Sequence, residues 1–66
     1  MHSQIVKISF DKPIFDFSRR EKFVNTQIQK NIDLFNHNGF IVLEHNILTK
    51  NDSYASVEFK LKRMVG

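Results

Sequence analysis

Cysteine and tryptophan are absent, proline occurs once and glycine twice. Without cysteine there is no disulfide framework and no thiolate metal site. Two isolated glycines, Gly39 and Gly66, cannot build the clustered turn through which bare backbone approaches a phosphate. A P-loop and a dinucleotide fingerprint are both missing. No serine stands in a glycine-flanked elbow beside a base, which removes the common nucleophile arrangements. The longest apolar run, Phe40-Ile41-Val42-Leu43, falls far short of the ~18 residues of a membrane span. It lies mid-chain and is also too short for a signal-peptide core. These absences lead us to expect a cytoplasmic chain that is not an enzyme, carries no cofactor or metal, and has no membrane partner.

What remains is a chain of 66 residues, room for a single domain over 1–66. A chain this short buries only about 60% of the surface its unfolded form exposes. Domains of this size usually lean on a disulfide, a metal or a partner subunit. Self-association is the expected support. The net charge is +3 and the isoelectric point near 9.5. A nucleic-acid partner is therefore possible, although the seven acidic residues are interspersed with the ten basic ones. Isoleucine, asparagine, phenylalanine and lysine are plentiful, as in AT-rich genomes. Short cysteine-free chains of this kind are common phage products.

The periodicity predicts an α+β domain of β-α-β-β order. Gln4 to Phe10 is rich in β-branched residues, with Val6, Ile8 and Phe10 on one face, and Asp11-Lys12-Pro13 stops it. Ile14-Phe15-Asp16-Phe17 follows as an extended connection able to cover the core or form a short extra strand. Ser18-Arg19-Arg20-Glu21 matches a capping box, and the helical period runs from Arg19 to about Asn36. Val24, Ile28, Ile32 and Phe35 form its apolar stripe, with Phe23 and Leu34 on one flank. Asn36-His37-Asn38-Gly39 ends it. Phe40 to about Ile47 reads as a strand, Thr49 to Ser53 as a turn, and Tyr54 to Leu61 or beyond as the final strand. Val57, Phe59 and Leu61 point one way along that strand, and Ser56, Glu58, Lys60 and Lys62 the other. The expected architecture is a three-stranded sheet packed on one helix, with strand one beside strand three and parallel to strand two. The other sheet face, carrying Ile5 and either Phe40 and Val42 or their alternates, is left uncovered. That is a second reason to expect an oligomer.

At about 100° per residue, Arg20, Gln27 and Asn31 project inside the apolar arc of the helix, where a solvated helix keeps none of its polar groups. They are the candidate partner-binding residues, with Phe15 and Phe17 as apolar anchors. His2, His37 and His45 lack the short regular spacing of a metal site. Basic residues gather at Arg19-Arg20-Lys22 and at Lys60, Lys62 and Arg63. A nucleic-acid binder would use Arg19, Arg20, Lys60, Lys62 and Arg63. The face of the last strand offers only Tyr54 for stacking.

The element order at this length resembles the dodecins, small flavin-storing proteins that assemble into hollow shells. The likeness lies in element order, not in any motif. Flavin stacking there relies on tryptophan, which this chain lacks, so the resemblance implies self-association and no flavin site. The reading from sequence is a non-catalytic binding module acting through a protein surface. It would regulate or inhibit another macromolecule, in the manner of a phage protein directed at host machinery. Its partners would be a second copy of itself and another protein. The alternatives are a nucleic-acid binder and an oligomeric store for a nucleotide or cofactor.

Overall fold

A computed structural model describes residues 2–64; residue 1 and residues 65–66 of the expected domain lie outside the described residues. The element order is β1 (His2–Ser9), α1 (Phe17–His37), β2 (Phe40–Lys50) and β3 (Tyr54–Arg63). The sheet order is β1-β3-β2, and both outer strands pair antiparallel with β3. The chain is an α+β domain with one helix on one face of a three-stranded sheet, as its periodicity predicts.

Alternation decides which side chains meet the helix. In the central strand Ala55, Val57, Phe59 and Leu61 are buried, and in β1 Ile8 joins them. The stripe on α1 supplies Val24 and Ile28, while Val6, Phe10, Phe23, Ile32, Phe35, Phe40 and Val42 pack around the edge of this core. Phe59 has no exposed surface, and its ring centroid lies 5.2 Å from that of Phe35. Phe40 and Val42 thus face the helix, and the uncovered sheet face carries their neighbour Ile41 with Ile5.

The helix begins earlier than the capping-box pattern suggests. Asp16 is its N-cap: the backbone there is extended, and Oδ1 accepts a hydrogen bond from the Arg19 N–H at 3.0 Å. Ser18 lies inside the first turn, and Glu21 forms an ion pair with Lys50 at the end of β2 instead of reaching back. Asp16 prevails because its carboxylate satisfies a first-turn donor and also favours the positive helix end. At the other end, the Asn38 N–H reaches the Leu34 oxygen at 3.0 Å, and Gly39 turns the chain with a φ of 88°.

Strand β2 runs to Lys50, three residues beyond its expected end. Its register against β3 slips twice, between Val42 and Glu44 and between Ile47 and Thr49. These irregularities re-aim the side chains around Leu43 and Leu48 and disguise the period of two. The turn is confined to Asn51–Ser53, where Asn51 Oδ1 accepts the N–H groups of Ser53 and Tyr54 at 2.8 and 2.9 Å.

The radius of gyration, 12.7 Å, exceeds the about 11 Å of a compact domain of this length. The accessible surface of 4821 Å² is likewise above the roughly 4,400 Å² of a typical monomer of this mass. One helix does not cover this sheet.

Candidate functional site

The connection between β1 and α1 lacks regular structure yet is pinned at several points, and residues 14–16 form no extra strand. The Phe10 N–H donates to the Ser53 oxygen at 3.1 Å, and the Ile14 N–H to the Asp52 oxygen at 2.8 Å. Arg20, one turn into the helix, sends Nε to the Ile14 oxygen at 3.0 Å and Nη2 to the Phe15 oxygen at 3.4 Å. The segment so fixed holds two aromatic rings in solvent: Phe15 is 75% and Phe17 66% exposed. The Lys50 ammonium sits 5.3 Å from the Phe17 ring centre, which anchors the second ring from the sheet side. An ordered backbone carrying bare phenylalanines costs water contact with no gain inside the domain. Such an arrangement suits an external contact.

Beside this corner, two adjoining depressions follow the outer side of α1. The first, about 500 Å³, is lined by residues of the connection, Lys12 to Asp16, with Arg19 and Phe23. The second, about 480 Å³, shares Arg19 and Phe23 and continues past Lys22, Thr26 and Gln27 to Lys30. Phe23 forms their common floor, held edge-on against Phe10 with 5.2 Å between centroids.

Of the seam residues, Arg20 is half-buried against the connection, and Asn31 donates Nδ2 to the Gln27 carbonyl at 2.8 Å. Gln27 reaches the second depression. The seam therefore lies beside Phe15 and Phe17 at its Arg20 end, and its remaining members continue along the helix.

The basic residues grouped in the sequence do not form one surface. Arg19 lines the outer depressions while Arg20 turns inward. Lys60 and Lys62 are on the uncovered sheet face, and Arg63 stands opposite Phe40. On that face Lys60 pairs with Glu44 at 2.8 Å, Ser3 Oγ donates to Glu58 at 2.9 Å, and Lys7 sits 4.7 Å from the Tyr54 ring centre. The hydrogen bond to Glu44, then the charges of Glu44 and Glu58, hold the Lys60 pKa above the ordinary lysine value. On the uncovered face Lys7, Glu44, Glu58 and Lys60 are thus internally paired, while Lys62 is not.

Lys12, Lys22, Phe23, Thr26 and Lys30 join the site only once the fold is known. Part of the signal is in the sequence: Arg19, Lys22, Thr26 and Lys30 recur at helical spacings of three, four and four, on the side away from the core. Among the described residues, no group of three His, Asp or Glu side chains could hold a metal, and no helix is long and apolar enough to cross a membrane. Comparison with protein-family models, with curated proteins and with solved structures finds no match to this chain.

Proposed function

We propose that this chain is a non-catalytic binding module that docks on another macromolecule through the Phe15–Phe17 corner and the adjoining outer side of α1. The observation that carries this reading is the clamp: Arg20 and Asp52 hold the backbone that displays two rings at 75% and 66% exposure. Ordering the loop before contact removes part of the entropy cost of binding, and aromatic anchors commonly dominate interface energy. Regulation or inhibition of the bound macromolecule needs only such a surface. The test is photo-cross-linking in cells, with a benzophenone analogue in place of Phe15 or, as control, of Ile5 on the other face. A discrete adduct from the Phe15 position alone is expected. Equal adducts from both positions, or none at Phe15, would overturn the reading.

A second reading, self-association, rests on β2. This outer strand leaves Ile41, Leu43, Ile47 and Leu48 between 41% and 52% exposed. They are spread over both faces of the strand, with Ile41 opposite Lys62 and Ile47 opposite Val57, so an edge-to-edge contact is the arrangement that would cover them. Sedimentation equilibrium should give twice the 7.8 kDa chain mass, and Leu43→Lys with Leu48→Lys should restore the single-chain mass. A monomer at about 0.1 mM, at the weak end of specific association, would dismiss it.

A further inference from the structure

The ten cations of the chain divide by what they touch. Lys50 and Lys60 are in ion pairs, Arg20 is bound to backbone carbonyls, and Lys7 lies over Tyr54. The other six make no ion pair, side-chain hydrogen bond or cation–π contact among the described residues, and four of them, Lys12, Arg19, Lys22 and Lys30, line the two depressions outside α1. The carboxylate in that lining, Asp16, is occupied by the Arg19 N–H as the helix cap. With a rise of 1.5 Å per residue, Arg19 and Lys30 are separated by about 16 Å along the axis, and Lys12 extends the row past the helix end. Phe15 and Phe23 are set among these cations, and Gln27 adds an amide, while the Thr26 hydroxyl donates to the Lys22 oxygen at 2.9 Å and can only accept.

A row of unpaired cations interleaved with aromatic rings in an open trough is the chemistry that holds an unpaired nucleic-acid strand: cations take the phosphates, and rings stack on bases. A duplex would hide the base faces that Phe15 is positioned to meet. An acidic polypeptide would satisfy the cations but gives the rings no flat partner. We propose that the outer side of α1, from Lys12 through Arg19 and Lys22 to Lys30, binds the phosphate backbone of single-stranded nucleic acid, with Phe15 stacking on a base. The site accommodates about four nucleotides, the low end for single-strand binders. This inference rests on the docking role of the same surface and names its partner.

The experiment is fluorescence anisotropy of labelled oligothymidine and oligouridine across a range of sodium chloride concentrations. Four phosphate contacts on a single strand predict a slope of about −2.8 for log K against log salt. Two charge-matched variants locate the contact. Arg19→Gln with Lys22→Gln should flatten the slope by about 1.4, whereas Lys62→Gln with Arg63→Gln should leave it unchanged. Phe15→Ala should weaken binding roughly tenfold at every salt concentration without altering the slope. All of these side chains are exposed, and circular dichroism checks that each variant folds. Equal loss in the two charge-matched variants, or displacement of the oligonucleotide by polyglutamate at equal charge, would overturn the proposal. So would the lack of an anisotropy change at about 0.1 mM protein, the weak end of non-specific affinities. If oligonucleotide binding fails while the Phe15 cross-link to a protein persists, the docking role stands and the nucleic-acid partner falls. Failure of both removes the surface altogether.

Discussion

Replacing Arg20 with methionine keeps the aliphatic stem against the core and deletes the guanidinium. The variant loses the half-buried bond to the Ile14 oxygen at 3.0 Å and the exposed one to the Phe15 oxygen at 3.4 Å. The first is charge-assisted and contributes about 1.5 kcal/mol, while the second is long and solvated and contributes little. A domain of this length holds on the order of 3–10 kcal/mol in total, so Arg20→Met consumes a visible fraction of it. With a urea dependence near ~1 kcal/mol/M, the unfolding midpoint should fall by about 1.5 M. In a thermal scan the drop should be roughly 10 °C. Hydrogen exchange separates the local effect from the global one. The Ile14 amide, bonded to the Asp52 oxygen, should lose more protection than the Val57 amide in the central strand. An unchanged midpoint together with unchanged exchange at Ile14 would show that Arg20 does not hold the connection. Our account of why Phe15 is presented rigidly would then fail.

The two candidate caps can be separated by paired substitutions: Asp16→Ala should cost about 1 kcal/mol in urea unfolding, and Ser18→Ala under about 0.5, with the reverse order refuting the assignment. Phe59→Ala removes a fully buried ring and should cost about 3–5 kcal/mol, enough to leave much of the population unfolded by circular dichroism. A cooperative melt close to that of the parent would contradict the central place given to that ring. Glu44→Gln should lower the Lys60 pKa toward the ordinary 10.5 in an NMR titration. Since the folded state raises this lysine's pKa, its contribution to stability is complete below pH 10.5 and is lost as pH rises through the folded value. The substitution should therefore flatten the alkaline limb of stability, by a small amount because the pair is solvated.

Legibility in the sequence followed burial. The last strand and the helix stripe are readable because Val57, Phe59 and Leu61, and Val24 and Ile28, recur with the period of their element and are all buried. The N-cap is harder: Asp16 and Ser18 are both good capping residues, and the choice between them depends on Glu21 being drawn away by Lys50, a tertiary contact. β2 is ambiguous for a related reason. Its apolar residues fall on both faces, the pattern of a strand buried on two sides or set at a subunit contact, and the exposure of Ile41, Leu43, Ile47 and Leu48 removes the first of these within the single chain. Arg20 stands out in projection as a polar residue inside an apolar arc. The path of the connection directs its guanidinium to the Ile14 and Phe15 carbonyls, and no local pattern encodes that path. The outer depressions depend equally on the connection, since the bend at Asp11 and Lys12 brings Lys12 to the first depression, which adjoins the one lined by Lys30.

The third strand in chain order is the middle strand of the sheet. During synthesis β1, the helix and β2 all emerge before β3, yet β1 and β2 have no hydrogen bonds to one another and each waits for the same missing partner. The β2–β3 hairpin is local, but contacts such as that between Ser3 and Glu58 span 55 positions, so β1 joins the sheet only once β3 is present. A ribosome-bound chain lacking β3 would display its apolar helix stripe and two unsatisfied strand edges, the state most exposed to proteases and chaperones. Folding of the sheet is thereby deferred until β3 has emerged, and a chain cut short before Tyr54 forms no sheet at all.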